Sequence, residues 1–253
     1  MMHGPLLTAA SVDLDKNLSL LGGYGFSLPN SDTFPEIDLG GGNTLRGANA
    51  NNKLRFEFGP HAQENLILVD PESACMGRVM ILGSKNLVIL RGSYNGRQPI
   101  ELHMFSNHGV FFFGLNATSN TATFEVSGDN RSIIVGEDCM FSAHIDVMTD
   151  DRHAIVDDLT GEHINRPESI LFEPHCWIGL HATVLKGVTA GFGSVIASRS
   201  LVTTLVPEMT VVGGAPARIL RKNALWVRHH TPNPSAIEEV RRSYEVFRAS
   251  RQA

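Results

Sequence analysis

The second half of the chain carries a six-residue repeat. Written in sixes from Phe172, the sequence reads FEPHCW, IGLHAT, VLKGVT, AGFGSV, IASRSL and VTTLVP. Five of the six first positions are large and apolar, and every fifth position is small or β-branched. Six residues are too few for a helix pair or a propeller blade, but they suffice for one short strand and a corner. Three such units predict a triangular coil of about 18 residues, and stacked coils bury a continuous apolar prism.

The same phase appears earlier in the chain and is then interrupted. Phe141 and Val147 occupy first positions, and Phe172 follows Val147 after 25 residues, which is four hexads and one residue. The chain is therefore expected to leave the prism and return, which makes 149–171 an inserted loop. A polar loop in an otherwise strict repeat is a place to expect function.

The first half of the chain has a looser pattern. From Leu54 to about Ser132, short apolar runs recur every ten to twelve residues or so, with turn-forming residues between them. This spacing alone fits a sandwich as well as a solenoid, and the hexads favour the solenoid. The predicted organisation is an irregular lead-in at 1–45, irregular β-solenoid coils at 46–148, the inserted loop at 149–171, regular hexapeptide coils ending in a glycine-rich turn at 172–222, and a tail at 223–253.

The tail is expected to contain a helix. The segment Pro234-Ser-Ala-Ile-Glu238 has the form of a capping box. Downstream apolar residues recur at spacings of 3, 4 and 3 and form one stripe: Ile237, Val240, Tyr244 and Phe247. An open solenoid end needs a cap, so we expect this helix to pack over the last coil. The predicted fold class is all-β with a C-terminal α-helix.

Composition excludes several classes of protein. The chain has 21 Lys and Arg against 26 Asp and Glu, a net charge of −5, which argues against a strongly basic nucleic-acid binder. Three widely spaced cysteines suggest neither a disulfide framework nor a metal-binding CxxC pair. No apolar run approaches the roughly 20 residues that span a bilayer. We therefore expect a cytoplasmic protein without a transmembrane segment.

Several motifs add to the repeat. In order they are Val135-Gly-Glu-Asp-Cys-Met-Phe-Ser142, Thr149-Asp-Asp-Arg-His153, Gly161-Glu-His-Ile-Asn165, Trp177-Ile-Gly179, Leu185-Lys-Gly-Val188 and Gly213-Gly-Ala-Pro-Ala-Arg218. Over 132–222 the chain resembles the hexapeptide-repeat acyltransferases, and most closely the bacterial capsule and O-antigen polysaccharide O-acetyltransferases. The resemblance implies a left-handed parallel β-helix, an exception to the usual right-handed crossover. It also implies acetyl-coenzyme A as co-substrate, a saccharide acceptor, and a homotrimer with sites between subunits.

His153 in the inserted loop is the candidate general base. An imidazole, with an unperturbed pKa of about 6.5, can take a hydroxyl proton at neutral pH. The resemblance places a catalytic His at this Thr-x-Asp-x-His position. Asp151 is expected to hold the ring, with Asp150 and Asp157 as alternatives. Arg152 stands where relatives usually have a small residue, so loop contacts are expected to differ.

Trp177 is the second candidate catalytic residue. It precedes the inward-facing Ile178, so its side chain is expected to point off the prism. The loop or a neighbouring subunit could cover an outward Trp, which would make it structural. The resemblance instead implies that Trp177 lines the active site beside His153.

The resemblance also implies a groove for acetyl-coenzyme A. Lys186 faces outward, Ala197 and Thr203 lie where relatives expose backbone amides to the pantetheine arm, and the Gly214–Pro216 turn takes the adenine end. Basic residues after the turn supply charge for the phosphates. The predicted contacts are Lys186, Ala197, Thr203, Gly214, Ala215, Pro216, Arg218, Arg221 and Lys222. Thr204 stands where relatives often have Lys, which predicts a shifted phosphate anchor.

A metal site is the alternative raised by the trimeric γ-class carbonic anhydrases, which share this solenoid. The possible ligands are His144, His175 and His181. His175 and His181 are six residues apart and so occupy adjacent faces, pointing about 120° apart if three hexads make a turn. They cannot both reach one zinc at the usual bond length of about 2.0–2.1 Å. We predict no metal, with a bridging site between subunits as the remaining possibility.

The predicted function is acetyl transfer from acetyl-coenzyme A to a sugar hydroxyl of a surface polysaccharide or its precursor. His153 acts as general base in a direct transfer, and Cys176 is a poor nucleophile because it lies at an inward corner. N-acylation of an amino sugar or sugar nucleotide is the nearest alternative, since both acceptors need a base and a groove. A non-catalytic trimeric scaffold is the alternative of another class.

Overall fold

The computed structural model describes residues 36–47, 52–92 and 98–251. The helix of these ranges is α1 (Pro234–Ser250). The strands are β1 (Glu36–Asp38), β2 (Thr44–Arg46), β3 (Lys53–Phe58), β4 (Leu66–Val69), β5 (Cys75–Ile81), β6 (Leu87–Gly92), β7 (Gln98–Met104), β8 (Val110–Leu115), β9 (Thr118–Val126), β10 (Ser132–Val135), β11 (Met140–Met148), β12 (Ile170–Phe172), β13 (Trp177–Ile178), β14 (Thr183–Val184), β15 (Thr189–Ala190), β16 (Val195–Ile196), β17 (Leu201–Val202), β18 (Val211–Gly214) and β19 (Ala217–Arg221).

Parallel pairing between successive coils builds the molecule. One sheet runs β1-β2-β4-β6-β8-β10-β12-β15, and a second runs β3-β5-β7-β9-β11-β13-β16-β18-β19. A third face holds β14 and β17 beside the second half of β11. The antiparallel pairs, β1 with β2 and β18 with β19, lie at the two ends of these sheets. The predicted parallel β-solenoid is confirmed.

Coil length changes along the solenoid. In the first half, Ile67 pairs with Val88, 21 residues on, and Phe111 pairs with Ile133, 22 residues on. In the second half, paired first positions are 18 residues apart: Phe172 with Ala190, Ile178 with Ile196, and Val184 with Val202. The regular coils have three two- or three-residue strands, whereas the earlier coils have two longer ones. This difference explains why the period-6 signal begins late in the sequence.

The core is the inside of the prism. All first- and fifth-position side chains of the six hexads are at most 2% exposed. A line of phenylalanines continues the core upstream, with ring centroids 5.0 to 6.4 Å apart: Phe111, Phe113, Phe124, Phe141 and Phe172. Each such buried side chain contributes about 1.5–3 kcal/mol, so the prism holds the coils in register.

The corners of the triangular coils stack into three edges that run along the solenoid. Two of these edges are marked by residues with positive φ. The tail edge comprises Asn116, Asp138, His175, Gly193 and Met209. The histidine edge comprises His144, His181 and Arg199. We call the third the loop edge, because the inserted loop leaves there after Met148, beside the end of β14. Left-handed backbone at a non-glycine residue is uncommon, so these tight corners depend on the stacking around them.

The last residues of the expected irregular lead-in at 1–45 include two short strands. Residues 1–35 lie outside the described ranges, but β1 and β2 form an antiparallel hairpin around a glycine-rich turn. Leu45 is buried against the core, and Asn43 donates a hydrogen bond of 3.0 Å to the carbonyl of Ala62. Three-residue strands among glycines leave no periodic signal in the sequence, which explains why the hairpin was not predicted.

The helix forms where predicted, but its cap and its position differ. The N-cap is Asn233 rather than Ser235: its Oδ1 accepts from the backbone N–H of Ala236 at 2.8 Å. The apolar stripe does face the solenoid, since Tyr244 and Phe247 pack on Phe192 with centroids 5.1 and 5.3 Å away.

The helix runs beside the solenoid and not over its open end. Tyr244 donates to Glu208 at 2.6 Å, and Arg251 pairs with Glu173 at 2.5 Å. Glu173 follows Phe172 and Glu208 follows Val206, and Phe172 and Val206 pair with Ala190 from the coils on either side of it, so α1 crosses three coils along one side. The β18–β19 hairpin occupies the end of the second sheet. Within the described ranges, no helix combines the length and apolar character needed to cross a bilayer.

Candidate functional site

Asn165 organises the inserted loop. Its side chain is buried, and Nδ2 donates to Asp151 Oδ2 at 2.8 Å and to the backbone carbonyl of His153 at 2.9 Å. Its Oδ1 accepts from the backbone N–H of Ile155 at 2.5 Å. One amide therefore fixes three points of the segment that carries the candidate base. In the sequence Asn165 is only the last residue of the Gly161–Asn165 motif, and no role was predicted for it.

The His153 side chain is exposed and unengaged. Its backbone is held by Asn165, but no side chain in the described part of the chain hydrogen-bonds to its ring. Asp150 accepts instead from the backbone of Asp151, and Asp157 closes a turn with Thr160. The three carboxylates proposed to orient the ring all make other contacts within this chain. The imidazole is thus free to meet a substrate or another subunit.

Asp151 pairs with Lys186, a contact that neither of their predicted roles included. Lys186 donates to Asp151 Oδ2, and this bond, opposed by burial and helped by Asn165, lowers the pKa of the Asp151 carboxyl. The Lys186 side chain is 16% exposed. Its charge is therefore already matched, and it ties the loop to the coil at the loop edge.

Arg152 adds a second tie between the loop and the coils. Its Nε and Nη2 bond to Glu125 Oε1 and Oε2 at 2.7 and 2.5 Å, and its guanidinium lies 4.3 Å from the Phe105 ring centroid. Burial raises the pKa of Glu125, but the bonds from Arg152 and Ser127 outweigh it, so the net shift is downward. The resemblance implies a small residue at position 152. Arg152 at this position forms a bidentate ion pair with Glu125.

Trp177 faces outward, as predicted. It opens β13, pairs with Met140 and Val195, and is 38% exposed. Its ring lies 5.8 Å from the ring of Trp226 in the tail, inclined by 46°. The covering residue therefore comes from the tail and not from the loop.

The structure does not bring Trp177 and His153 together within one chain. Trp177 follows His175 of the tail edge by two residues, whereas the loop that carries His153 leaves at the loop edge. The two edges are different corners of the triangular coil. A centre that uses both side chains needs a second copy of the chain.

The glycine-rich turn is the β18–β19 hairpin. Gly214 has a φ of +98°, and an added Cβ would meet nothing closer than 3.7 Å, so the turn is open to solvent. Ala215 and Pro216 are exposed beside it. Arg218, Arg221 and Lys222 are exposed and form no ion pair within the described residues. This hairpin therefore presents three unmatched positive charges.

Ala197 and Thr203 differ in what they can offer a ligand. The Ala197 N–H donates to the Val212 carbonyl at 2.8 Å, and its carbonyl accepts from Ser200 at 2.6 Å. The expected free amide at Ala197 is therefore absent, because the next coil uses it. Thr203 directly follows β17 and is exposed.

Comparison with known proteins finds relatives that match part of this chain. No family model matches the chain. The polysialic acid O-acetyltransferase of Escherichia coli O1:K1 / APEC is 30% identical over 111 residues, 44% of this chain and 36% of that protein. The putative lipopolysaccharide biosynthesis O-acetyl transferase WbbJ of Escherichia coli K12 is 28% identical over 123 residues, 45% of this chain and 61% of that protein. The matches thus span from about a third to three fifths of these relatives.

A solved structure shares the fold. The polysialic acid O-acetyltransferase OatWY superposes with a TM-score of 0.52 at 21% identity, over 74% of this chain and 95% of that one. Over the matched residues the chain is similar to the hexapeptide-repeat β-helix acetyltransferase family. The resemblance inferred from the motifs is confirmed.

In this hexapeptide-repeat protein, His175 is a structural residue of the tail edge. It is 5% exposed, and its Nδ1 lies 2.6 Å from Asp138 Oδ2. Arg228 donates to Asp138 Oδ1 at 2.6 Å. Burial raises the pKa of Asp138, but the bonds from His175 and Arg228 outweigh it and lower the pKa overall. Sequence reasoning missed this network, and the signal that could have found it was the single Trp of the tail, Trp226.

The candidate zinc ligands are separated in the structure. His144 and His181 stack at 4.9 Å with their planes 12° apart on the histidine edge, while His175 is engaged with Asp138 on the tail edge. Across the ranges that the structure describes, no group of three or more His, Cys, Asp or Glu is placed to hold a metal ion.

Proposed function

We propose that this chain transfers an acetyl group from acetyl-coenzyme A to a hydroxyl of a surface polysaccharide or its precursor. The observation that carries the proposal is the exposed imidazole of His153, held through its backbone on an Asn165-braced loop in a solenoid of this acetyltransferase family. Two relatives are named for O-acetyl transfer, to polysialic acid and in lipopolysaccharide biosynthesis. A sugar hydroxyl is therefore the acceptor class that we infer.

The chemistry is a direct transfer with His153 as general base. The imidazole takes the proton of the acceptor hydroxyl while the oxygen attacks the thioester carbonyl. The tetrahedral intermediate expels the coenzyme A sulfur as the C–S bond breaks, and the imidazolium returns the proton to that sulfur. Backbone amides or the Trp177 indole N–H stabilise the oxyanion. Cys176 is 1% exposed and inside the prism, so the proposal contains no acyl-enzyme.

The active protein is proposed to be a homotrimer with sites between subunits. His153 and Trp177 lie at different edges of one chain, so a neighbouring copy must bring them together. The loop also exposes apolar side chains, with Leu159 93% exposed: Ile155, Val156, Leu159 and Ile164. Exposed apolar side chains concentrated in one loop are typical of a protein interface.

Acetyl-coenzyme A is proposed to bind along the second sheet toward the β18–β19 hairpin. Arg218, Arg221 and Lys222 have no carboxylate partner within the described residues, and phosphates suit such exposed cations. Thr203 and the Gly214–Pro216 turn flank the same end of the solenoid. Lys186 is left out of this role because Asp151 holds it.

The test is a mass measurement on candidate acceptors. De-acetylated polysialic acid, an O-antigen polysaccharide and an amino-sugar nucleotide are each incubated with the protein and acetyl-coenzyme A. The proposal expects a gain of one acetyl group per modified residue on a polysaccharide, released by mild base as an ester. Acetylation of the amino sugar alone, stable to mild base, would show an N-acyltransferase instead. No transfer to any acceptor, with no coenzyme A binding, would contradict acyl transfer altogether.

A further inference from the structure

Trp226 is a buried residue within a mostly exposed tail. It is 7% exposed, and its ring stacks on the His175 ring at 4.1 Å with the planes 8° apart. Its indole N–H donates to the His175 carbonyl at 2.7 Å, and its own carbonyl lies 2.9 Å from His175 Nε2. Three contacts with one residue fix both the position and the orientation of this ring.

Arg228 anchors the same segment two residues later. Its guanidinium donates to Asp138 Oδ1 at 2.6 Å and to the carbonyls of Asp138 and Cys139 at 3.0 and 3.1 Å. Asp138 also accepts from His175, so both anchors meet at one carboxylate. The ring of Trp226 is thus held from two directions on the tail edge.

Trp177 has a fixed backbone but a less constrained side chain. Its strand pairs on both sides, yet the side chain is 38% exposed and no described residue accepts a hydrogen bond from its indole N–H. Its aromatic neighbour is Trp226, at 5.8 Å and 46°. An exposed side chain samples up to three staggered χ1 wells unless a neighbour blocks some of them.

We infer that Trp226 is a positioning residue, which holds the Trp177 ring in the orientation that faces the substrates. This inference rests on the proposed function, in which Trp177 lines the site. If one χ1 well is productive, freeing the ring reduces its population to about a third or less. Loss of the Trp226 ring is therefore expected to lower kcat/KM by about three- to tenfold. A tail that merely attaches to the solenoid would have no such effect.

Two tryptophans in the whole chain make the geometry measurable by spectroscopy. Two indoles this close should give an exciton couplet in the far-ultraviolet circular dichroism spectrum of the wild type, absent from Trp177→Phe and Trp226→Phe. In Trp226→Leu the fluorescence comes from Trp177 alone, and its anisotropy should fall while quenching by acrylamide rises. Trp226→Phe keeps a ring at the contact, so Trp177 should stay more ordered there than in Trp226→Leu.

Activity measurements complete the test. Trp226→Leu should lower kcat/KM by about three- to tenfold, and Trp226→Phe should restore most of it. Phe247→Leu is the matched control, because it loosens α1 from Phe192 without touching either tryptophan. Unchanged Trp177 anisotropy in Trp226→Leu, or an equal loss of kcat/KM in Phe247→Leu, would overturn the inference. A wild type with the couplet but no acetyl transfer would remove the proposed function, and the anisotropy comparison would still decide whether Trp226 orders Trp177.

Discussion

Lys186 and Asp151 are joined across 35 residues of sequence, and their ion pair fastens the root of the inserted loop to a regular coil. Asp151 lies two residues before His153 in sequence, and its carboxylate also accepts a hydrogen bond from Asn165. The position of His153 is therefore set by this ion pair, which tethers the loop to the coil. It is not set by a carboxylate hydrogen-bonded to the imidazole ring.

The first prediction concerns this tether. Lys186→Met should lower kcat by several-fold through a looser loop, while the Kd for coenzyme A stays within about twofold of wild type. The free energy of unfolding should change little, because Asp151 is more than a third exposed and exposed pairs contribute about 0–1 kcal/mol. Steady-state kinetics and calorimetry measure the two effects. A large rise in the Kd for coenzyme A with unchanged kcat would instead make Lys186 a ligand of the coenzyme.

The second prediction concerns Arg152 and Glu125. Arg152→Ala leaves a nearly buried carboxylate without its cation, since the Glu125 side chain is 9% exposed. We expect a loss of about 1–2 kcal/mol, the low end for charged hydrogen bonds because half of Arg152 is exposed. For a chain of this size that is a fall of a few degrees in melting temperature. Arg199→Ala, which removes an exposed Arg with no ion pair in the described structure, is the control and should melt like the wild type.

The third prediction is a pH dependence of stability from Asp138. Its folded-state pKa is below the ordinary value, so the carboxylate stabilises the fold above the unfolded pKa of about 3.9 and this stabilisation is lost as pH falls through the folded value. Asp138→Asn should therefore be less stable than the wild type at neutral pH, and the difference should shrink below about pH 4. Urea unfolding at several pH values tests this. A difference that is constant down to pH 2 would contradict an ionised Asp138 paired with His175 and Arg228.

The fourth prediction concerns the hairpin cations. Coenzyme A affinity should fall with rising salt, because its phosphates meet exposed charges. Changing Arg218, Arg221 and Lys222 together to Gln should raise the Kd by about three- to hundredfold, since each exposed pair contributes about 0.2–1 kcal/mol. The salt dependence should also flatten. Arg242→Gln, on the exposed surface of α1, is the control. Equal affinity in the triple variant would place the phosphates elsewhere.

Much of the fold could be predicted from the sequence, because the side chains that are buried in the solenoid recur at fixed positions of the hexad. Val184 at a first position and Ser194 at a fifth position differ in chemistry, but both are fully buried inside the prism. Because each hexad position faces the same part of the interior in every coil, the hexad pattern predicts coil length and inward positions. The helix stripe was predicted for the same reason. Its cap was not, because Ser235 and Asn233 are both competent caps, and the Ser235 hydroxyl donates to Asn233 instead.

The contacts that arrange the candidate site were beyond sequence reasoning. Trp226 meets His175 across 51 residues, and the partner is chosen by which coil corners stack along the tail edge. Ala197 has the expected position but not the expected free amide, because the following coil decides whether that N–H is used. Local spacing carries no information on such pairings.

The most direct test of the account is the turnover of His153→Ala. General-base catalysis is typically worth about 10²–10⁴ in rate, so kcat for acetyl transfer should fall by that factor. The Kd for coenzyme A and the melting temperature should stay near wild type, because an exposed loop side chain holds little of the core together. His61→Ala, at an exposed position in the first-half coils, is the control and should turn over normally. Near-normal kcat in His153→Ala would contradict the mechanism and move the search for the base to His144 or His163.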